Sequence, residues 1–295
     1  MALKPSINEA IIEGILYEKI VRNFDDGAIA GELVIEVPVK IDGEEFFSHI
    51  PVSFYVKEKT KEGKSNSAYK GVKTIVDSAK ALSETDGEPS KADRIRLRTG
   101  QLSENMFISQ DDRLVSFTRI RGNFFDRVKE TDCQPKAQFK VKMIVKSIDP
   151  EVEKENGEEF ETGRIIVTGN VVQYNGEIDE LKFVVQNKKH IDTVLKGWSV
   201  DDTVTASGII KFVTEEITKN GDDEDTFGEA LPSTVTRKVR EFVITGGSPG
   251  PVEGYDEEDV TEARRARKLK IAALGKEKAE KEPAKPAKGK GKPDW

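Results

Sequence analysis

Apolar and polar residues alternate in steps of two along most of the chain, and short Gly, Asn and Asp clusters cut the alternating runs. That period sends successive side chains to opposite faces of a strand. Strands are predicted over residues 10–20, 31–41 and 46–57. Asp42-Gly43, between the second and third, is a hairpin signal, because a type I′ turn needs positive φ at both central residues. The period then changes. Over residues 69–82, Val72, Ile75, Val76, Ala79 and Leu82 recur at three- and four-residue spacings, the apolar stripe of a helix. Strands return over 93–101 and 114–128.

The same order recurs downstream. Strands are predicted over 138–148, 163–174 and 181–186, with Asn175-Gly176 as a turn, a short helix over 190–197, and a last pair of strands over 202–213 and 233–244. Gly31-Glu-Leu-Val-Ile-Glu-Val resembles Gly163-Arg-Ile-Ile-Val-Thr-Gly, and the run from Phe46 parallels the run from Gly176. The shared order implies an internal duplication with a period of about 130 residues. Five strands with a helix between the third and fourth is the order of the OB-fold, a small Greek-key barrel. Closing so short a sheet also removes its exposed edges. A ferredoxin-like sheet would need a second helix, which neither half supplies.

The expected fold class is therefore all-β with short helices: two OB-like Greek-key barrels in tandem, then a C-terminal helix and a disordered basic tail. The boundaries fall at 1–130, 131–250, 251–275 and 276–295. Three segments read as unpacked: the polar loop 60–66, a long mobile hairpin loop over 215–231 containing Asp222-Asp-Glu-Asp225, and the low-complexity Lys/Ala/Pro/Gly tail. Residues 253–274 have helical character, acidic at the start and basic toward the end, which suits the helix dipole.

Composition sharpens this picture. Of 295 residues 36% are hydrophobic and 34% charged, against about 25% charged in an average domain. The net charge of −7 hides a segregation: −5 over 1–90, +6 over 91–146, −16 over 147–262 and +8 over 263–295. A local field attracts a polyanion more than a net charge repels it, so the +6 block is the first functional clue. One cysteine, Cys133, allows no internal disulfide, and with only His49 and His190 beside it no zinc site is expected. No run approaches the ~20 apolar residues of a membrane helix, and the first ten residues do not read as a signal peptide. These features lead us to expect a cytoplasmic protein, in the host cytoplasm if viral, with no membrane partner.

Catalytic signatures are missing. There is no Gly-x-Ser-x-Gly elbow, no phosphate-binding Gly-x-x-x-x-Gly-Lys-Ser/Thr loop and no His-Glu-x-x-His. No enzyme activity, cofactor or metal is expected, a nuclease of scattered Asp and Glu being the one enzymatic alternative. The basic-aromatic block is more informative. Arg94, Arg96 and Arg98 share one strand face; Phe117, Arg119 and Arg121 share another, which Phe125 and Arg127 rejoin if Gly122 makes no bulge, and Phe107 lies between. Guanidinium groups neutralise phosphates and exposed rings stack on bases. The same alternation also describes a solvated face opposite a core of Ile95, Leu97, Val115 and Ile120. A second candidate is the Lys-rich loop with Lys57, Lys59, Lys61, Lys64, Asn66, Tyr69, Lys70 and Lys73, able to close over a strand; the alternative is a soluble lysine loop with Tyr69 packed under the helix. Cys133 reads as an inert linker thiol and Trp198 as core. Of Phe46 and Phe47, one should face inward.

The duplicated strand order, the motif Ser65-Asn-Ser-Ala-Tyr-Lys-Gly71, and Gly100-Gln-Leu-Ser-Glu-Asn-Met-Phe107 through Gly122-Asn-Phe-Phe125 resemble tandem OB-fold single-stranded DNA-binding proteins of tailed bacteriophages. The resemblance covers residues 8–248. It implies sequence-independent binding of single strands in DNA replication or recombination, with the basic strands and loop of the first barrel as the contact. RNA is not separated from DNA by the sequence. Replication or recombination proteins are a second class of partner, reached through residues 253–274. The alternative from another class is a structural or assembly (virion) protein or an interaction scaffold.

Overall fold

The structure, a computed structural model, describes residues 3–155, 158–219 and 233–281. Five strands build the first barrel: β1 (Asn8–Asn23), β2 (Ile29–Ile41), β3 (Glu44–Val56), β4 (Arg94–Ile108) and β5 (Leu114–Arg121). Antiparallel ladders join β1 to β2, β2 to β3, β5 to β4 and β4 to β1, and a short parallel pairing of β3 with β5 closes the ring. This closed Greek-key order is that of the OB-fold. Helix α1 (Ser67–Ser78) lies between β3 and β4, as its stripe requires, and buries Ala68, Val72 and Ile75. Asn66 starts it, its side chain accepting from the Ala68 N–H.

A sixth strand, β6 (Phe125–Val128), pairs with the start of β4. The alternation over 114–128 predicts one continuous strand; the chain instead breaks after Arg121. At Gly122 the backbone runs close to the core: a Cβ would lie 2.3 Å from Leu97 Cδ1 and 3.1 Å from the Thr99 carbonyl oxygen, so a side chain there would force Leu97 to shift.

The second barrel repeats the plan with β7 (Lys136–Glu155), β8 (Glu158–Val172), β9 (Ile178–Val185), α2 (Lys188–Gly197), β10 (Thr203–Lys219) and β11 (Ser233–Gly247). Its ring runs β7–β8–β9–β11–β10–β7, again with one parallel pairing, β9 with β11. β10 continues six residues beyond the expected end at Val213, paired residue by residue with β11. Residues 215–219 of the expected 215–231 loop are therefore ladder, and the rest of it, with Asp222–Asp225, lies outside the described residues. The Asp42-Gly43 turn forms as expected, with φ of 50° and 96°.

Alternate residues of each strand point into the barrels. Ile12, Leu16, Leu33, Ile35, Ile50, Val52, Ile95, Leu102 and Ile120 fill the first, and Phe139, Val141, Met143, Leu181 and Phe183 the second. Phe139 stacks on Phe183 at 5.4 Å between centroids, and Phe242 meets both edge-on. Trp198 is buried as expected, with its indole N–H on the Ser248 carbonyl at 2.8 Å.

The two barrels are joined edge to edge. β1 pairs with β7 from Asn8↔Val141 to Glu13↔Lys136, so the eleven strands of the described residues form one sheet. Each barrel also sends its last hairpin against the other. Ser48 on β3 accepts from the Phe212 N–H and donates to the Ile210 carbonyl of β10. Reciprocally, Asp179 and Glu180 on β9 bond to Glu104 of β4.

After the barrels comes α3 (Glu257–Lys281). Val260 and Ala263 seat it in a small apolar cluster with Leu3, Ile144, Val172 and Ile178. Arg264 pairs with Asp201, Arg267 with Glu104 and Glu180, and Lys270 with Glu177. The helix expected over 253–274 thus exists, and much of its basic side is engaged by the barrels. No described helix is long and apolar enough to cross a membrane. The basic tail beyond residue 281 lies outside the described residues.

Candidate nucleic-acid interface

The second half of β4 and all of β5 form an antiparallel arm in which Gln101 lies opposite Arg121, Ser103 opposite Arg119, and Asn105 opposite Phe117. The two-residue period puts Phe117, Arg119 and Arg121 on one face with Phe107. Phe107 and Phe117 meet edge to face, centroids 6.4 Å apart, and stay 44% and 41% exposed. Four residues of strand separate Phe117 from Arg121, about 13 Å at the usual rise.

Arg121 is level with Ser53, where β5 pairs with β3. Two residues further along β3 stands Tyr55, its N–H held by the Asn123 side chain at 3.2 Å. The Tyr55 ring is exposed and meets Phe24, from the β1–β2 connection, edge-on at 6.4 Å. One outer surface of the first barrel therefore carries an exposed ring pair at each end and two arginines between. Exposed Phe124 adjoins it in sequence.

The middle of this surface has polar capacity to spare. Ser103 Oγ and Arg119 Nε, on directly opposed residues, are buried without a hydrogen-bond partner among the described residues. Native structures keep such groups rare, because an unpaired buried donor costs about 1–3 kcal/mol. Arg121 is exposed and makes no ion pair among the described residues.

The remaining predicted residues lie elsewhere or are otherwise engaged. Register is the reason: β5 ends opposite Gln101, so Arg94, Arg96 and Arg98 fall beyond it, against β1 and β6. Arg94 is buried, donating to the carbonyls of Pro89 and Ala92 and to Glu130. Arg96 grips Glu13 with two hydrogen bonds, Arg98 grips Asp126, and Arg127 pairs with Asp93. The expected convergence of both arginine sets into one positive groove does not occur. Phe125 does not rejoin the exposed face: beyond the break at Gly122 its ring turns inward, edge-on to Phe54.

The Lys-rich loop is a small ordered hairpin, closed by a Lys59↔Ser65 bridge and by a turn in which Thr60 and Lys64 are bonded. Lys57 pairs with Asp26 and Lys64 with Glu62. Asn66 is used up as the α1 cap, its amide also donating to the Lys57 carbonyl. Tyr69 is half-buried against the core, and Lys73 pairs with Asp77. Lys59, Lys61 and Lys70 are exposed. Of the Phe46–Phe47 pair, Phe47 is exposed, while Phe46 lies under Lys211 of the other barrel rather than in the core.

Phe24 and Tyr55 were missed by the sequence pattern. Tyr55 carried a signal, since Val52, Phe54 and Val56 take the inward positions of β3 and leave it outside. Phe24 carried none, because a connection has no period. Among the described residues no cluster of His, Cys, Asp and Glu is placed to hold a metal ion.

Solved structures that resemble the chain include two of the single-stranded DNA-binding protein from Thermus aquaticus. The wild-type protein is 12% identical, with 85% of this chain and 95% of that one covered and a TM-score of 0.49. A deletion mutant is 11% identical, with 86% and 98% covered and the same TM-score. No curated protein matches the sequence. One family does, YorF, over residues 7–277. With nearly the whole of both barrels and α3 inside that match, the chain belongs to the YorF family.

Proposed function

We propose that the protein binds single-stranded DNA without sequence preference, across the outer surface formed by β3, β5 and the β4–β5 arm. The observation that carries this is the arrangement of Phe107–Phe117 and Phe24–Tyr55 around Arg119 and Arg121. Exposed rings give bases a stacking surface that any base can use, and arginines between them meet the phosphates. Position supports the same reading, since OB barrels take oligonucleotides on the face of their second and third strands, between the β1–β2 and β4–β5 connections. Phe24 sits in the first of these connections, Phe107 and Phe117 flank the second, and Tyr55 is on β3.

Such binding suits replication or recombination, in which bared strands must be covered, and it is in this role that we place the protein, as the resemblance to phage proteins implies. The test is a fluorescence anisotropy titration of labelled oligo-dT with the full chain at two salt concentrations. Binding should weaken with salt, log K falling by about 0.7 per neutralised phosphate for each decade. Absence of binding at low salt would overturn the proposal.

A further inference from the structure

Behind the ring-bearing face, the arm is held by one carboxylate. Glu104 projects from the opposite side of β4 to Phe107, and its side chain is 2% exposed. Ser116, across the arm on β5, donates to Glu104 Oε1 at 2.6 Å. The Glu180 N–H of β9 donates to Oε2 at 3.1 Å, and the Glu104 N–H reaches Asp179 at 2.9 Å. Arg267 of α3 completes the set, with Nη2 2.6 Å from Oε1 and Nε 3.2 Å from Oε2, and its Nη1 lies 3.3 Å from Glu180. Three separate elements, β5, β9 and α3, therefore meet on a single buried anion of the first barrel.

We propose that α3 is a brace for the β4–β5 arm and that Glu104 and Arg267 are positioning residues of the DNA interface, which they do not touch. This rests on the function proposed above. A two-stranded arm has no core of its own, and isolated hairpins are at best marginally stable in water. Holding it in one pose removes part of the ordering that binding would otherwise require. A charge-assisted, two-pronged arginine–carboxylate bond suits that task because it fixes orientation as well as distance. Met106, next on the same side of β4, lines a cavity with Ala263, Ala266 and Arg267, and its sulfur lies 3.8 Å from Arg267 Nη2.

The experiment compares the full chain with Arg267→Ala in two measurements. Hydrogen exchange without DNA should be faster in the variant over residues 105–117 and unchanged in β2 and β8; unchanged exchange in the arm overturns the brace whether or not DNA binds. In the oligo-dT titration the variant should bind about tenfold more weakly with an unaltered salt slope, and Arg267→Lys should recover part of the loss. Equal affinity, or a slope shallower by about 0.7, overturns the proposal, the latter because Arg267 would then contact phosphate itself. Should Arg267→Ala fail to fold, leaving Glu104 buried and unpaired, the charge-free pair Glu104→Gln with Arg267→Gln is measured the same way. A wild-type chain that binds no DNA but shows the exchange difference would sink the function and leave the brace standing.

Discussion

Arg96 lies against Glu13 with Nε and Nη2 at 2.7 and 3.0 Å from the two carboxylate oxygens, on directly paired residues of β4 and β1. Glu13 is almost fully buried and also accepts from the Gln134 N–H. The guanidinium is therefore the counter-charge of an interior anion. Arg96→Ala should lower the melting temperature while leaving oligo-dT affinity near wild type, since a lone buried carboxylate is left behind. Thermal denaturation and anisotropy on the same sample check this. A large loss of affinity with unchanged melting would place Arg96 at the DNA.

The same pair sets an acid limit. Arg96 beside it, with further help from the Gln134 N–H, holds the Glu13 carboxyl below its ordinary value of 4.5. A depressed carboxylate contributes stability above its unfolded pKa and loses it as pH falls through the lower folded value. The stability gap between wild type and Arg96→Ala should therefore be larger at pH 6 and narrow as pH falls toward 3 and the carboxyl is protonated in both. Urea denaturation at pH 6 and pH 3 measures it, and a constant gap refutes it.

Asp179 should behave with the opposite sign. Burial, assisted by the neighbouring Glu104 charge, pushes its carboxyl above the ordinary 3.8. An acid with a raised folded pKa is free of penalty below its unfolded value and is increasingly destabilising as pH rises through the folded one. Asp179→Asn, which keeps an oxygen for the Glu104 N–H, should raise the denaturation midpoint at pH 7. At pH 3 it should change nothing.

Two phenylalanines eight residues apart should fail in different ways. Phe117→Ala removes an exposed ring and should weaken oligo-dT binding by about 1–3 kcal/mol with the melting temperature nearly unchanged. Phe125→Ala empties a core position and should cost about 3–5 kcal/mol of stability. Equal effects of the two on binding would mean that the exposed ring is not a stacking surface.

Cys133 gives a chemical check on the region beside Glu13. Burial and the Glu13 carboxylate push its thiol above the ordinary 9.0. Only the thiolate reacts readily, so labelling by a maleimide at pH 7 should be slower than for an unstructured cysteine peptide. Labelling as fast as the peptide would show that the site opens.

Much of the architecture was legible because local signals agreed with the global fold. Asp42-Gly43 marked its turn, Val72 and Ile75 marked the buried side of α1, and the repeated strand order marked two barrels. The site was legible only in part. Alternation correctly put Arg94, Arg96 and Arg98 on a shared strand, yet it says nothing of what stands opposite. Their partners Glu130, Glu13 and Asp126 come from three other segments, Glu13 being 83 residues away. Register was equally invisible, and it is register that moves Arg121 level with Gln101 instead of Arg96. The end of the β5 alternation was hidden as well, since the close approach of Gly122 to Leu97 is a contact between distant parts of the chain.

The ladder between β1 and β7 knits the pair of barrels together through backbone bonds instead of leaving them two beads on a string. Opening a hinge there would tear a continuous row of backbone bonds, so drawing the halves apart would cost the unpairing of a strand.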